Sequence, residues 1–274
     1  MKELRTILVT GASSGIGAYC ARALKADGWR VLATARNRQA LAALEADGIE
    51  AFHLDYTDSA SIERLVAAVL ERTGGRLDAL YNNGAYAQAG AVEDLPVEVL
   101  HRQFEANFFG WHELTRLVLP AMRRLGHGRI VHCSSILGQM PLPYRGAYCA
   151  SKYALEGLML SLRQELAGSG IHVSLIEPGP VASSLHENGL PLFLGSVDRE
   201  NSVHRAAYER QLRSGAGRNR AKAGPEVVYK ALRHALLSRR PRPHYVVTLP
   251  ARIGILLKRI LPAALFYRLL AKST

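Results

Sequence analysis

Short apolar runs alternate along this chain with segments of helical periodicity. The runs are rich in aliphatic and β-branched residues, and turn-forming residues follow most of them. This pattern predicts strands at 6–10, 30–35, 50–55, 77–83, 128–135, 171–179 and 244–249. Between the strands, apolar residues recur three or four positions apart, as they do in amphipathic helices. Strands alternating with helices predict an α/β fold, a doubly wound parallel sheet of about seven strands with helices on both faces.

The alternation weakens after Gly179. Residues 180–224 are rich in Gly, Ser, Asn and charged residues, and we predict that they form a lid over a substrate site. Residues 251–274 are predicted to form a C-terminal helical extension, which Pro262 divides into two short pieces. No linker separates two cores, so we predict a single domain over residues 1–274.

The composition indicates a globular and basic protein. Hydrophobic residues make up 48% of the 274 residues, and the formal net charge is +12. A basic excess favours anionic partners, namely phosphorylated cofactors, anionic lipid or nucleic acid. Nucleic-acid binding is disfavoured, because the chain has neither a recognisable reading element nor interleaved aromatic residues.

Metal binding, secretion and membrane spanning are also disfavoured. The three cysteines form no C-x-x-C pair, and the ten histidines form no H-x-x-x-H pair, so we expect no metal site. The N-terminal stretch lacks the apolar core of a signal peptide, and no run of about 18 apolar residues occurs. We therefore predict a cytoplasmic protein.

A glycine-rich turn, TGASSGIG at 10–17, connects the first strand to the first helix. Gly11, Gly15 and Gly17 lack a Cβ, so the backbone can turn tightly and approach a pyrophosphate at the helix N-terminus. The spacing is G-x-x-x-G-x-G, and the lysine of a P-loop is absent. A tight turn without a ligand is the alternative, but the strand–loop–helix context favours a Rossmann-type dinucleotide site.

The end of the second strand indicates which dinucleotide binds. An acid there would bind the ribose hydroxyls of NAD, but this chain has Ala35, followed by Arg36 and Arg38. A guanidinium suits the 2′-phosphate of NADP, so NADP(H) is favoured and NAD(H) remains possible. The alternative is that both arginines are solvated surface charges. Asp55, after the third strand, either accepts a hydrogen bond from adenine or caps the next helix.

Candidate acid–base chemistry lies between residues 135 and 152. Tyr148 and Lys152 are four residues apart on a predicted helix and therefore share one face. A nearby ammonium favours the phenolate and lowers the pKa of the phenol, which is otherwise near 10. Ser135 follows the fifth strand, at the sheet edge where open α/β sheets bind their ligands. Its hydroxyl can hold a substrate oxygen while Tyr148 gives or takes a proton.

These motifs together resemble the short-chain dehydrogenase/reductase family, and in particular its retinol and hydroxysteroid dehydrogenase-like branch. The resemblance covers residues 5 to about 185 and rests on TGASSGIG, NNGA, FEANFFG, Ser135, YCASK and PGPVAS. It implies that Tyr148 is the catalytic acid–base and that Lys152 lowers its pKa and binds ribose. It further implies that Ser135 orients the substrate and that Asn107 holds a water in a proton relay to Lys152.

The predicted cofactor site combines the glycine loop, the strand ends and the family positions. Besides Tyr148 and Lys152 it comprises Gly11, Ser13, Ser14, Gly15, Ile16, Gly17, Arg36, Asp55, Asn83, Pro178, Gly179, Val181 and Ser183. Two departures from the family pattern occur. N-N-A-G reads Asn82-Asn83-Gly84-Ala85, and Ser183 stands one position beyond the usual threonine. Neither departure removes a group that the chemistry needs.

The resemblance and the lid together suggest a lipophilic small-molecule substrate. The lid has several large apolar residues, which form either a pocket wall or ordinary packing: Leu185, Leu190, Leu192, Phe193 and Leu194. The predicted activity is carbonyl–alcohol interconversion on a ketone, aldehyde, steroid-like or retinoid-like compound. The alternative is a catalytically idle nucleotide-binding regulator or scaffold, although the complete Asn, Ser, Tyr and Lys set argues against it.

The C-terminal extension has an apolar pattern with interspersed basic residues: Arg252, Lys258, Arg259, Arg268 and Lys272. It either meets anionic lipid or packs on the lid or a neighbouring subunit, and packing is slightly favoured. We expect a homodimer or homotetramer.

Overall fold

Seven parallel strands form one sheet in the order β3-β2-β1-β4-β5-β6-β7. The structure is a computed structural model, and it describes residues 4–214 and 223–271. The strands are β1 Thr6–Val9, β2 Arg30–Ala35, β3 Glu50–His53, β4 Ala79–Asn82, β5 Gly128–Cys133, β6 Ile171–Pro178 and β7 His244–Val247. All the predicted strands are present, and several are a residue or two shorter than predicted at their ends. The expected doubly wound α/β fold is thus confirmed.

Helices cover both faces of the sheet, as expected for a doubly wound fold. α1 packs against α9 and α3 packs against α5. The helices before β6 are α1 Gly15–Ala26, α2 Arg38–Ala46, α3 Ser59–Arg72, α4 Val97–Phe104, α5 Gly110–Leu125 and α6 Gly146–Glu165. After β6 come α7 Leu185–Ser196, α8 Arg205–Ser214, α9 Glu226–Leu237, α10 Leu249–Ile260 and α11 Ala263–Ala271.

The core lies between the sheet and these helices. Ile7, Leu8 and Val9 of β1 are wholly buried, because β1 is central and covered on both faces. This explains why the central strands appear in the sequence as continuous apolar runs rather than alternating ones. The edge strand β3 has only half-buried or exposed side chains.

A π-helical turn, Glu105–Phe109, interrupts the helical stretch between α4 and α5. The sequence predicted helix across this region and gave no indication of the extra residue in the turn. The turn is followed by Gly110, where a Cβ would lie 2.4 Å from the carbonyl oxygen of Tyr56. α5 therefore approaches the loop after β3 closely, and the π turn sets the position of Asn107.

The region 180–224 is more regular than its sequence suggests, and the C-terminal extension is helical as expected. The described part of 180–224 contains α7 and α8, and residues 215–222 lie outside the described residues. The C-terminal extension is two helices, α10 and α11, separated at Leu261 and Pro262, where the expected break occurs. Within the described residues, none of the helices has the length and apolar character needed to cross a membrane.

Candidate active site

The strand order reverses at β1, which has β2 on one side and β4 on the other. Such a switch point leaves a crevice at the carboxyl edge of the sheet, because the loops on either side diverge. A cavity of about 770 Å³, here called the cleft, runs along this edge. Loops after the first six strands line it, with segments at 11–16, 34–36, 54–57, 83–88, 133–137 and 178–185.

The glycine loop is pressed against the end of β4. Gly11 has φ +62°, and a Cβ there would lie 2.3 Å from Cα of Gly84. A Cβ on Gly17 would lie 2.2 Å from the carbonyl oxygen of Gly11. Nδ2 of Asn83 donates to the carbonyl oxygens of Thr10 and Gly11, at 3.3 and 3.2 Å. Only glycine fits at positions 11 and 17. The close packing of Gly17 and the hydrogen bonds from Asn83 therefore fix the conformation of the loop.

The start of α1 fits the phosphates of a dinucleotide. Ser14 is the N-cap residue in extended conformation, and its side chain makes no capping hydrogen bond. The first backbone N–H groups of α1 therefore keep their capacity for an anion, and the positive end of the helix dipole favours one. Ser13, Ser14, Gly15 and Ile16 all line the cleft here.

Arg36 and Asp55 line the cleft in the loops after β2 and β3. Arg36 is exposed and lines the cleft directly after β2. Oδ1 of Asp55 accepts from the backbone N and from Oγ1 of Thr57, at 2.9 and 2.8 Å. Burial raises the pKa of Asp55, but these hydrogen bonds and the charge of Arg36 outweigh burial and lower it. Asp58 rather than Asp55 is the N-cap residue of α3, so Asp55 is a turn residue that faces the cleft.

Tyr148 and Lys152 share one face of α6, and both line the cleft although they are almost wholly buried. Nζ of Lys152 donates to the carbonyl oxygen of Cys133 at 3.0 Å. It also lies 4.0 Å from the ring centroid of Trp111 and 5.8 Å from that of Tyr148. Burial lowers the pKa of Lys152 to about 8, against the opposing effects of Cys133 and Glu156. The pKa of this amine therefore lies closer to neutral pH than that of an ordinary lysine.

The pKa of Tyr148 differs from the expectation. Burial raises it above its ordinary value, Cys133 adds to the rise, and a hydrogen bond with Ser135 opposes it. The sequence predicted that Lys152 lowers the pKa of Tyr148, but in this structure that pKa is raised. The physical reason is that burial outweighs an ammonium that is directed at the carbonyl of Cys133 and the face of Trp111.

Ser135 and Asn107, the other two predicted catalytic residues, lie in different environments. Ser135 follows β5, lines the cleft, and its Oγ accepts from the backbone N of Leu137 at 3.1 Å. Asn107 is buried in the π turn, where its Nδ2 donates to the carbonyl oxygen of Tyr86 at 2.8 Å. Its Oδ1 accepts from the backbone N of Tyr86 at 3.3 Å. The amide of Asn107 therefore fixes the loop after β4, and its place in a water relay stays a prediction.

The opposite wall follows β6. Pro178, Gly179, Val181 and Ser183 all line the cleft, and their contact with a cofactor stays a prediction. At Gly179 a Cβ would lie 2.4 Å from Oγ1 of Thr248, so a larger residue would displace the start of α10.

Two of the five predicted lid residues, Leu185 and Leu192, line the cleft. Phe193 instead is buried in a separate apolar cluster with Tyr208, and Leu190 and Leu194 are exposed. The wall is completed by residues that the sequence did not single out, namely Ile136, Leu137, Leu142 and Pro143. In the sequence, only their position in the loop after β5 indicated that these residues could line the cleft.

A buried acid–histidine cluster lies behind Lys152. Glu156, Glu177 and His244 place ligand-type atoms within 4.8 Å of one another. Nδ1 of His244 contacts Oε1 of Glu177 and lies 3.5 Å from Oε2 of Glu156. The expectation of no metal site was based on sequence spacing, which cannot reveal residues that meet from α6, β6 and β7.

Hydride exchange between a nicotinamide and an alcohol carbon needs a dinucleotide cleft with an acid–base group facing it. This sheet edge has a cleft lined by the glycine loop and by Ser135, Tyr148 and Lys152. The molecule is an NAD(P)-dependent oxidoreductase acting on CH–OH groups. A family model described as short chain dehydrogenase matches residues 5–190. The chain belongs to the short-chain dehydrogenase/reductase family.

Two curated relatives extend the match over most of the chain. The uncharacterized oxidoreductase YbbO of Escherichia coli K12 is 36% identical over 266 residues, covering 97% of this chain and 94% of that protein. Human 17-beta-hydroxysteroid dehydrogenase type 1 is 35% identical, covering 88% of this chain and 77% of that protein.

Two solved structures share the fold. A single-residue variant of actinorhodin polyketide ketoreductase with NADPH has a TM-score of 0.72 and 31% identity, covering 90% of this chain and 97% of that chain. A short-chain dehydrogenase/reductase from Burkholderia phymatum in complex with NAD has a TM-score of 0.79 and 25% identity, covering 92% of each chain.

Proposed function

We propose that the protein is an NADP(H)-dependent reductase or dehydrogenase that interconverts a carbonyl and an alcohol on a lipophilic substrate. Tyr148 is the acid–base in this proposal. The observation that carries it is the convergence of Ser135, Tyr148 and Lys152 on the cleft that the glycine loop also lines. A regulator that only bound the nucleotide would not need a phenol, a hydroxyl and an amine at this point.

The bound nicotinamide would supply or accept the hydride, and the chain's own residues handle the proton. The Ser135 hydroxyl orients the substrate oxygen, and Tyr148 donates a proton to it as the carbonyl is reduced. A phenol is protonated at neutral pH, and burial of Tyr148 raises its pKa further, so the group carries the proton that reduction requires. Lys152 holds the ribose hydroxyls and stabilises the phenolate that remains.

The cofactor preference follows from the end of β2. Ala35 offers no carboxylate to ribose hydroxyls, and Arg36 brings a guanidinium to the cleft. The solved relatives include one with NADPH and one with NAD, so the family uses both. We assign NADP(H) because the missing acid removes the usual partner of NAD.

The substrate class follows from the cleft wall. Leu137, Leu142, Pro143, Leu185 and Leu192 contribute apolar surface to the same cleft that Tyr148 lines. Similarity to a human hydroxysteroid dehydrogenase supports a steroid-like or other lipophilic alcohol, ketone or aldehyde. The described part of 180–224, with α7 and α8, would act as the lid that encloses this substrate.

The decisive experiment is Tyr148→Phe. Loss of the acid–base hydroxyl is expected to lower kcat at least about 100-fold, while NADPH affinity changes little. A substrate for this measurement is found by testing a panel of ketones, aldehydes and alcohols and monitoring turnover through the absorbance of the nicotinamide. Tyr153→Phe is the matched control, because Tyr153 is a half-exposed tyrosine on the same helix.

The outcomes separate the two candidate functions. Full turnover in Tyr148→Phe would reject the assigned acid–base. Tight NADPH binding in the wild-type protein, without turnover on any member of the panel, would instead favour the nucleotide-binding regulator.

A further inference from the structure

The two C-terminal helices expose an unusual amount of apolar surface. Within the described residues, α10 leaves Leu249, Ile253, Leu256 and Ile260 exposed, from 47% to 69%. Positions i, i+4, i+7 and i+11 of a helix fall on one stripe. We call these four side chains, with the exposed Leu265 and Leu269 of α11, the C-terminal apolar face. A face this apolar on a helix surface marks a docking surface.

The packing of α10 shows that this face is its outer side. Ala251 is buried, and a Cβ on Gly254 would meet the side chain of Met140 at 2.7 Å. Nζ of Lys258 donates to the carbonyl oxygen of Gln139. The side of α10 that carries these residues packs on the chain. Among the described residues, the apolar stripe therefore does not pack on the lid, which was one of the alternatives that the sequence left open.

The charged residues of the segment that carries the C-terminal apolar face have one sign. Residues 249–271 contain Arg252, Lys258, Arg259 and Arg268 and no Asp or Glu. By helical geometry, Arg252 and Arg259 border one side of the stripe. An apolar stripe with basic residues along its margin is the arrangement of helices that lie in a lipid interface, because the long basic side chains reach the headgroups.

A second copy of the chain fits this surface poorly. A two-fold contact would bring each basic margin near its own equivalent, and residues 249–271 supply no carboxylate to neutralise it. An anionic bilayer accepts the apolar side chains and attracts the basic margin at the same time.

We propose that α10 and α11 dock the protein onto an anionic lipid bilayer through the C-terminal apolar face. The helices lie in the interface rather than cross it, consistent with the absence of a spanning helix among the described residues. The inner side of α10 contacts the segment at Met140, and the neighbouring Leu142 and Pro143 line the cleft. Docking therefore brings the cleft close to the lipid, where a lipophilic substrate is concentrated.

Vesicle co-sedimentation tests the proposal without any measurement of turnover, so it stands apart from the test of the proposed function. The full chain is mixed with vesicles of phosphatidylglycerol and phosphatidylcholine, or with phosphatidylcholine alone, at low and high salt. The protein should pellet with the anionic vesicles, and salt should weaken its binding. Each charge removed in Arg259→Gln and Arg268→Gln should weaken association about five-fold.

The apolar contribution is tested by a Leu256→Ser and Ile260→Ser double variant, which should weaken association at least about tenfold. Both side chains are more than half exposed, so folding should be retained. Val203→Ser is the matched control, because Val203 is an 85% exposed aliphatic residue outside the face, and it should bind like wild type.

Three outcomes would overturn the proposal. The first is wild-type protein that stays in the supernatant with anionic vesicles at low salt. The second is equal pelleting of wild type and the double variant. The third is a double variant that lowers the molar mass in analytical ultracentrifugation while vesicle binding is absent, which would assign the face to a second copy.

Discussion

At the scale of single residues, the proposed preference for NADP(H) rests on one position in the loop after β2. Arg36 lines the cleft, whereas Arg38 begins α2 and is not among the cleft-lining residues. Two arginines that look equivalent in the sequence therefore lie in different environments. A guanidinium that binds a phosphate gains charge-assisted hydrogen bonds that a surface arginine does not make.

Arg36→Ala should weaken NADPH binding roughly 10- to 100-fold, because it removes charged hydrogen bonds to the 2′-phosphate. NADH binding should stay within about twofold of wild type, since NADH lacks that phosphate. Titration of both cofactors by fluorescence measures the effect, and Arg38→Ala is the control. Equal losses for the two cofactors would remove Arg36 from the phosphate site.

At the scale of elements, β1, the glycine loop and α1 act with the end of β4 as one unit. Gly17 packs over the carbonyl of Gly11 and beside Nδ2 of Asn83, which itself binds the loop. The position of the loop is therefore set by a strand that lies about seventy residues away in the chain. The conformation of the glycine loop therefore depends on this contact as well as on its own glycines.

Gly17→Ala should lower the melting temperature and weaken cofactor binding at least about tenfold, because the added Cβ would overlap the backbone of Gly11. Gly157→Ala is the control. Gly157 is exposed on α6 with no atom within 4 Å of a built Cβ, and helix propensity predicts a gain of about 1 kcal/mol. Thermal melts and NADPH titration measure both. A Gly17→Ala protein that melts and binds like wild type would contradict the close contact.

At the scale of the whole molecule, the cluster of Glu156, Glu177 and His244 joins α6, β6 and β7 behind the active site. Burial raises the pKa of Glu156 to about 8, and Glu177 adds to the rise against Ser134, His244 and Lys152. The hydrogen bond with Glu177 raises the pKa of His244, although burial opposes it. Both groups hold protons in the folded protein that the unfolded chain releases.

The cluster's contribution to stability should therefore be complete at acid pH and be lost as the pH rises. For Glu156 the loss runs from its ordinary 4.5 to about 8. The slope is at most about 1.4 kcal/mol per pH unit for one proton. Glu156→Gln should remove this slope. The free energy of unfolding of the variant, measured by urea denaturation, should therefore rise relative to that of wild type between pH 5.5 and about 8.5. Glu165→Gln, exposed on the same helix, should keep it. Parallel curves for Glu156→Gln and wild type would show that the carboxyl is ionised throughout.

Particular elements explain why much of the fold could be predicted. The strands around the switch point are buried on both faces, so their apolar runs are continuous and bounded by glycine and asparagine. The π turn at Glu105–Phe109 could not be predicted, because its residues have ordinary helical character and the extra residue is accommodated by contact with the rest of the fold. The two lid helices were missed because their apolar residues serve several different surfaces.

Some features of the candidate site could likewise be predicted from the sequence, and others could not. Local spacing places Tyr148 and Lys152 on one helix face, and glycine chemistry marks the phosphate loop; both follow from backbone geometry within one short segment. Only the tertiary structure brings Trp111 and the carbonyl of Cys133 to the amine of Lys152, and assembles the acid–histidine cluster behind it. Those contacts join residues far apart in the chain, and burial shifts pKa values through the whole surrounding fold. Sequence thus determined the class of chemistry, and packing decided the protonation and the environment in which that chemistry occurs.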